Sequence, residues 1–357
     1  MTDPNIGRYA RQVSLPELGA VGQRRLASSR ALVVGAGGLG TPAALYLAAA
    51  GVGTIGLVDG DRVEASNLHR QILYGPDDVG TYKTRAAARA LRRQNPDVEV
   101  VQHREWLDAT NAERLIGEYD VVLDGTDTFG SRYVVNDACV RTGTPDVLAS
   151  VSRFEGQISV LAADGGPCYR CLFPEPPPAG LVPSCADGGV LGVVPGVLGV
   201  AQASEALKVL LGIGEPLVGR LWVLDLFGAS SRTITFERDP ACPACGDAPK
   251  REAPPEVRAV SAESVRRELE RGAVTVLDVR TAAERGVRRI EPSVWIPVDE
   301  LADRIGELDP AAAVAVVCES GVRSARAADL LARNGFENVA DVRGGMRAWA
   351  AMADARA

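Results

Sequence analysis

The sequence predicts an α/β protein in two parts, a doubly wound parallel sheet followed by a smaller second β/α domain. Three observations carry this. An apolar strand runs into a GxGxxG turn and a helix at residues 30–50. Strands and helices then alternate, and a shorter β/α series restarts beyond a charged, proline-rich segment, Asp247–Pro255.

In chain order, RALVVG (30–35) is the first strand, and an alanine- and leucine-rich helical stretch continues to about Ala50. TIGLVD is a second strand ending at Asp59, and helical periodicity returns from Tyr82 to Gln94. VEVVQH and DVVLDGTD are further strands, the latter ending in acidic residues. Residues 156–163 read as β-rich, and FPEPPPAGLVP reads as a long ordered loop, because proline removes backbone donors. A helix from about Val197 to Leu211 and the strands LWVLDLF and SRTITFE close a first domain at residues 1–246. A linker over 247–258 joins it to a second domain and keeps the two at high local concentration. The second domain, 259–357, contains the strands VTVLDVR, SVWIPV and AVAVVC, a helix from Ser324 and a final GGMRAWAAM helix.

The chain has 357 residues, 46% hydrophobic and 24% charged, an ordinary globular composition that argues against disorder and fibrous classes. A net charge of -7 gives no reason to expect nucleic acid or an anionic membrane as a partner. No apolar run reaches about 18 residues, and MTDPNIGRYARQ lacks the apolar core of a signal peptide, so a soluble, cytoplasmic protein is expected. In that setting the seven cysteines read as metal ligands or reactive thiols before disulfides.

Gly35, Gly37 and Gly40 place bare amides at a helix N-terminus, where a phosphate is held, and Asp59 closes the next strand where a carboxylate accepts ribose hydroxyls. This Rossmann-like set suits ATP or a dinucleotide, so an NAD-dependent oxidoreductase is the competing function. The next residues favour ATP: Ser66, Asn67, Leu68, His69, Arg70 and Gln71 put amide and guanidinium groups beyond the aspartate. Lys83, one of three lysines, opens a helix further on. Asp127 is a candidate magnesium ligand, with helix capping by Asp124 and Asp127, and a simple surface role for Arg70, as the plainer readings.

Cys168 and Cys171 form one CxxC and Cys242 and Cys245 another, together a closed tetrahedral set suited to structural zinc (Zn2+). Cys139 reads as a buried helix residue. Cys185 stands apart from any knuckle spacing and is open to burial or reactivity. Cys318 ends an apolar strand and opens CESGVRS ahead of a helix, where amides, the helix dipole and Arg323 favour a thiolate or persulfide.

In order, RYARQ, GAGGLG, VDGD, SNLHRQ, Lys83, DGTD, CYRC, SCADGG and CPAC resemble the MoeB/ThiF adenylyltransferases, relatives of ubiquitin-activating enzymes, over about residues 5–246. The resemblance implies a Rossmann-like adenylating domain with structural zinc, ATP and magnesium (Mg2+) as cofactors, and adenylation of the C-terminal glycine of a ubiquitin-like sulfur carrier ending in Gly-Gly. It implies that Gly38, Asp59, Asn67, Arg70, Lys83 and Asp127 bind ATP and magnesium. It also implies a homodimer in which Arg11 reaches the partner's site, and a crossover-loop Cys185 that reacts with the carrier. Ser66, Leu68, His69 and Thr128 complete the implied nucleotide set, Thr128 standing where the family usually has asparagine. The four residues between Cys318 and Arg323, with LDVR and RGGMRAW, resemble single-domain rhodaneses. Phosphatase loops carry five residues there. Arg289, where rhodaneses commonly have histidine, and Glu319 inside the loop depart from that pattern. They point away from thiosulfate towards a protein persulfide, as delivered by a cysteine desulfurase. Molybdopterin, thiamin, thiolated tRNA and cysteine synthesis all draw on such thiocarboxylates. A non-catalytic scaffold for the carrier is the remaining alternative.

Overall fold

The computed structural model describes residues 6–175, 189–247, 257–319 and 321–354. Cys185, residues 176–183 of the proline-rich loop and residues 248–256 of the expected linker lie outside them. The chain divides into two compact units, Met1–Pro249 and Lys250–Ala357.

The first unit is built on eight strands, β1 (Arg30–Val34), β2 (Thr54–Val58), β3 (Glu99–His103), β4 (Val121–Asp124), β5 (Asp146–Ser152), β6 (Glu155–Leu161), β7 (Arg220–Asp225) and β8 (Ser230–Thr235). Their order is β3-β2-β1-β4-β5-β6-β7-β8. The expectation of a parallel sheet holds only through β5, because β6, β7 and β8 each join their neighbour antiparallel. Only Arg153 and Phe154 separate β5 from β6, and a two-residue connection cannot carry a parallel crossover. Arg153 takes φ 53°, the left-handed twist such a turn demands.

The helices of this unit are α1 (Ile6–Val13), α2 (Gly19–Ser28), α3 (Gly40–Ala50), α4 (Lys83–Gln94), α5 (Ala112–Ile116), α6 (Phe129–Thr142), α7 (Tyr169–Leu172) and α8 (Val193–Leu211). α3 is apolar on almost every side, since it lies between the sheet and α8, and Gly51 at φ 83° ends it. A Cβ on Gly199 of α8 would sit 2.3 Å from the Leu39 carbonyl oxygen, so glycine there sets the close approach of α8 to the start of α3. α8 begins four residues earlier than its periodicity suggests. By length and composition it is apolar enough to cross a membrane, contrary to the expectation that no such run exists. Its apolar face is buried in the unit's core through Val194, Leu198, Ala203 and Ala206.

The second unit has β9 (Arg258–Val260), β10 (Thr275–Asp278), β11 (Val294–Trp295), β12 (Val314–Val317) and β13 (Val339–Val342), all parallel in the order β11-β10-β12-β13-β9. Its helices are α9 (Ala262–Glu270), α10 (Ala282–Val287), α11 (Leu301–Arg304), α12 (Val322–Arg333) and α13 (Gly345–Asp354). It has its own core around Leu277, Val316, Leu331 and Phe336. β9 begins at the last residue of the expected linker.

Candidate active sites

A cleft of about 590 Å³ opens at the C-terminal ends of β1, β2 and β4, where the strand order reverses and nucleotides bind in such sheets. Its floor is the glycine turn. Gly35 takes φ 88°, and a Cβ on Gly40 would lie 2.0 Å from the Gly35 carbonyl oxygen, so the turn closes only without side chains. Of the residues expected to bind nucleotide, Gly38, Asp59, Ser66, Asn67, His69, Arg70, Lys83 and Asp127 line this cleft. Leu68 is absent from the lining and packs on the core instead. Arg11 is exposed on α1, away from the cleft lining. Thr128 also leaves the nucleotide set: its Oγ1 accepts the Ser131 amide at 3.1 Å and caps α6. The capping reading of Asp124 and Asp127 is therefore wrong. Asp124 is fully buried and accepts the Thr126 amide at 2.8 Å, while Asp127 is exposed in the cleft.

Asp59 is more occupied than the sequence suggests. Its Oδ2 accepts the Ala36 amide at 2.8 Å and its Oδ1 the Asp61 amide at 2.7 Å, fastening the glycine turn to the end of β2. Burial pushes its pKa up, against the pull of Lys83 and the two amides. A carboxylate has about four lone-pair sites, so acceptor capacity remains for a ligand. Lys83, itself buried, reaches Asp61 at 2.8 Å and Asp59 at 3.9 Å. Arg70 donates to the Ser66 carbonyl at 3.2 Å and pairs with no carboxylate among the described residues, so its charge faces the cleft uncompensated. It is not a simple surface charge. Asp61, Trp106 and Arg132 also line the cleft and were not among the residues expected to bind nucleotide. Asp61, two residues after Asp59, was the one a local spacing argument could have found.

The four knuckle cysteines converge, with their Sγ atoms all within 4.8 Å of one another. The separations are 3.6 Å for Cys168 to Cys242, 4.0 Å for Cys168 to Cys171 and 3.4 Å for Cys171 to Cys245. Tetrahedral ligands about 2.3 Å from a zinc ion stand roughly 3.8 Å apart, so the donor set fits that metal. Burial also pushes the Cys245 thiol up to about 11, a penalty that a coordinated cation would offset. Cys139 is fully buried in α6.

Cys318 follows β12 at the mouth of a turn into α12 and is fully buried. Its Sγ accepts the Gly321 amide at 3.1 Å and the Ser324 hydroxyl at 3.3 Å. Gly321 takes φ 102°, which turns the chain back towards the sulfur. From the other side, Met346 at the start of α13 donates its amide to the Cys318 carbonyl at 2.8 Å, and a Cβ on Gly345 would lie 2.3 Å from that oxygen. Arg323 does not stand free as a positive charge, because both its terminal nitrogens bond the Glu284 carboxylate, one at 2.7 Å. Glu319 lies 3.6 Å from Arg280, which is buried against Asp278. Arg289 is exposed and pairs with Glu291 at 2.6 Å.

The Arg323 guanidinium holds the Glu284 carboxyl down at about 2, against an ordinary 4.5. A depressed carboxylate pKa stabilises the fold above 4.5, and that contribution is lost as pH falls through about 2. Glu284→Gln should therefore lower the Tm of the second unit by roughly 4–8 °C near neutrality, for about 1 kcal/mol of partly screened ion pair. The gap between variant and wild type should begin to narrow below pH 4.5 and close as pH falls through about 2, as read by thermal melts across pH. A gap independent of pH would mean that the ion pair does not form.

Glycine turn, acidic strand end and basic loop in one unit, with a thiol cradled at a helix N-terminus in the other, define a nucleotide-binding activating domain joined to a thiol-loop domain. The chain belongs to the ThiF family over residues 9–244 and carries a rhodanese-like domain over residues 261–352. It is 44% identical to "Adenylyltransferase and sulfurtransferase MOCS3" of Mus musculus, over 98% of this chain and 86% of that protein. It is 51% identical to "Sulfur carrier protein adenylyltransferase" of Thermus thermophilus, over 70% of this chain and 93% of that one. Among solved structures, E. coli MccB with its MccA-derived ligand superposes with a TM-score of 0.61 at 25% identity, covering 67% of this chain and 75% of that one. These matches give the oxidoreductase reading no support.

Proposed function

We propose that this chain adenylates the C-terminal glycine of a ubiquitin-like sulfur carrier and then converts it to a thiocarboxylate with sulfur carried on Cys318. The observation that carries the reading is one cleft in which Arg70 and Lys83 face a side-chain-free glycine turn. The names of the relatives, which pair adenylyltransferase with sulfurtransferase, support it. The carrier's carboxylate oxygen attacks the α-phosphorus of ATP and expels pyrophosphate, while Arg70 and Lys83 spread the developing charge. Asp59 would take the ribose and Gly38 the phosphates, and Asn67, Ser66 and His69 line the same cleft. Asp127, exposed in the cleft, is the residue here that would hold magnesium, which supplies further neutralisation of the phosphates when bound.

The terminal sulfur of a Cys318 persulfide then attacks the acyl carbon and displaces AMP, leaving an acyl disulfide. Attack of the Cys185 thiolate on the Cys318 sulfur forms a Cys185–Cys318 disulfide and releases the thiocarboxylate. A dithiol reductant restores both thiols, which suits the reducing cytoplasm. Arg323 is paired with Glu284, Glu319 puts a carboxylate inside the thiol loop, and Arg289 is paired with Glu291, so the loop offers little free positive charge to a thiosulfate dianion, which favours a protein persulfide donor such as a cysteine desulfurase. Arg11, exposed and outside its own cleft lining, suits service to a second copy in a homodimer. The test is ATP–pyrophosphate exchange that appears only with a carrier ending in Gly-Gly; exchange without any carrier, or none with it, removes the reading. Mass analysis of the carrier trapped on Cys185 or Cys318 then separates molybdenum cofactor synthesis from thiamin and tRNA thiolation routes.

We further assign structural zinc to Cys168, Cys171, Cys242 and Cys245. Stripping it with a chelator, or Cys245→Ser, should lower the Tm of the first unit by roughly 6–12 °C, equivalent to about 3 kcal/mol. An unchanged melt in protein shown to be metal-free would refute the assignment.

A further inference from the structure

Trp106 is a large apolar side chain, 64% exposed, that lines the nucleotide cleft and has no part in the chemistry above. It lies three residues beyond the end of β3, and its indole rests on the α-carbon of Gly60, next in sequence to Asp59. A Cβ on Gly60 would sit 2.7 Å from the ring atoms Cε2 and Nε1, so the bare glycine is what lets the indole reach this place. Order along the cleft follows from the bonds. The glycine turn is fastened to Asp59 through the Ala36 amide, Asp59 leads into Gly60, and Trp106 lies against Gly60. In sheets of this topology the phosphates sit over the glycine turn, the ribose over the strand-end carboxylate, and the base beyond it. Charge agrees with that order. Arg70 faces the cleft near Gly38, whereas the neighbours of Trp106 are the carboxylate of Glu105 and the apolar Leu107, a lining that repels phosphate and accepts an uncharged ring.

We propose that the Trp106 indole stacks on the adenine of ATP and thereby fixes the base end of the nucleotide. This rests on the adenylation reading and adds to it a residue that holds the base. An exposed indole in water gains apolar contact and π-stacking when a flat heterocycle covers it. Stacking acts on the base alone, so it lowers the dissociation constant of ATP without altering how the phosphates are held.

The experiment measures binding of ATP and of inorganic tripolyphosphate by calorimetry to the full chain and to Trp106→Phe and Trp106→Ala, with tryptophan fluorescence as a second readout. The chain has four tryptophans, so the Trp106 component of any ATP-induced quench is the part missing from Trp106→Phe. Trp106→Ala should weaken ATP roughly 5- to 150-fold, Trp106→Phe should retain most of the affinity, and both should hold tripolyphosphate within twofold of wild type. KM for ATP in pyrophosphate exchange should rise with kcat little changed. Wild-type affinity for ATP in Trp106→Ala overturns the stacking proposal alone, as does a parallel loss of ATP and tripolyphosphate binding, which marks a disturbed cleft. Failure of the wild-type chain to bind ATP overturns the adenylation reading, and the proposal with it.

Discussion

Cys318→Ala should abolish thiocarboxylate formation while leaving ATP–pyrophosphate exchange within twofold of wild type. The thiol is the only group in its loop that can carry sulfane sulfur, and alanine removes the sulfur without adding bulk to a fully buried position. Loss of product should reach the detection limit, on the order of 10³-fold or more, because no neighbouring thiol stands in among the described residues of the second unit. Product would be read by mass as a gain of sulfur in place of oxygen at the carrier's terminus. Serine at 318 would give the same loss, since the Gly321 amide and the Ser324 hydroxyl would then hold an oxygen that forms no persulfide. Thiocarboxylate made at an undiminished rate by Cys318→Ala would place the sulfur elsewhere.

Arg70→Ala should reduce exchange by about 10²- to 10³-fold with the Cys318 persulfide still forming at its normal rate. The guanidinium faces the cleft without a carboxylate partner, so its charge is available to the nucleotide rather than spent on a local ion pair. Lys83 differs: Asp61 already neutralises it in part, and its removal strands a buried carboxylate at Asp59 as well as losing a cation. Arg70 is the cleaner probe for that reason. Exchange that survives in Arg70→Ala would move the charge-stabilising role to Lys83 or Arg132.

What could be read from the sequence was local. The glycine turn, the strand-end aspartate, the paired CxxC knuckles and the thiol at a strand-to-helix junction each declare themselves within a few residues, because each is a short backbone device with fixed spacing. What could not be read depends on contacts between distant segments. Glu284 meets Arg323 across 39 residues, and the bond changes the latter from a free charge into half of an ion pair. Thr128 follows the candidate magnesium aspartate in sequence, but its hydroxyl is engaged in capping α6. The antiparallel half of the first sheet was hidden because the turn between β5 and β6 is Arg153-Phe154, which carries none of the Gly, Asn or Asp that marks a two-residue hairpin. Trp106 carries no motif at all, and only its place against Gly60 gives it a meaning.

The hold of α13 on the thiol loop has a consequence for synthesis on the ribosome. Met346 and Arg347 donate their amides to the carbonyls of Cys318 and Glu319, at 2.8 and 3.2 Å, so residues 345–347 must be present before the loop acquires its shape. A nascent chain that has only just exposed Cys318 carries an ordinary unclamped thiol. The sulfur-handling loop is thus assembled late in translation, after the first unit, wholly N-terminal to it, has had time to fold.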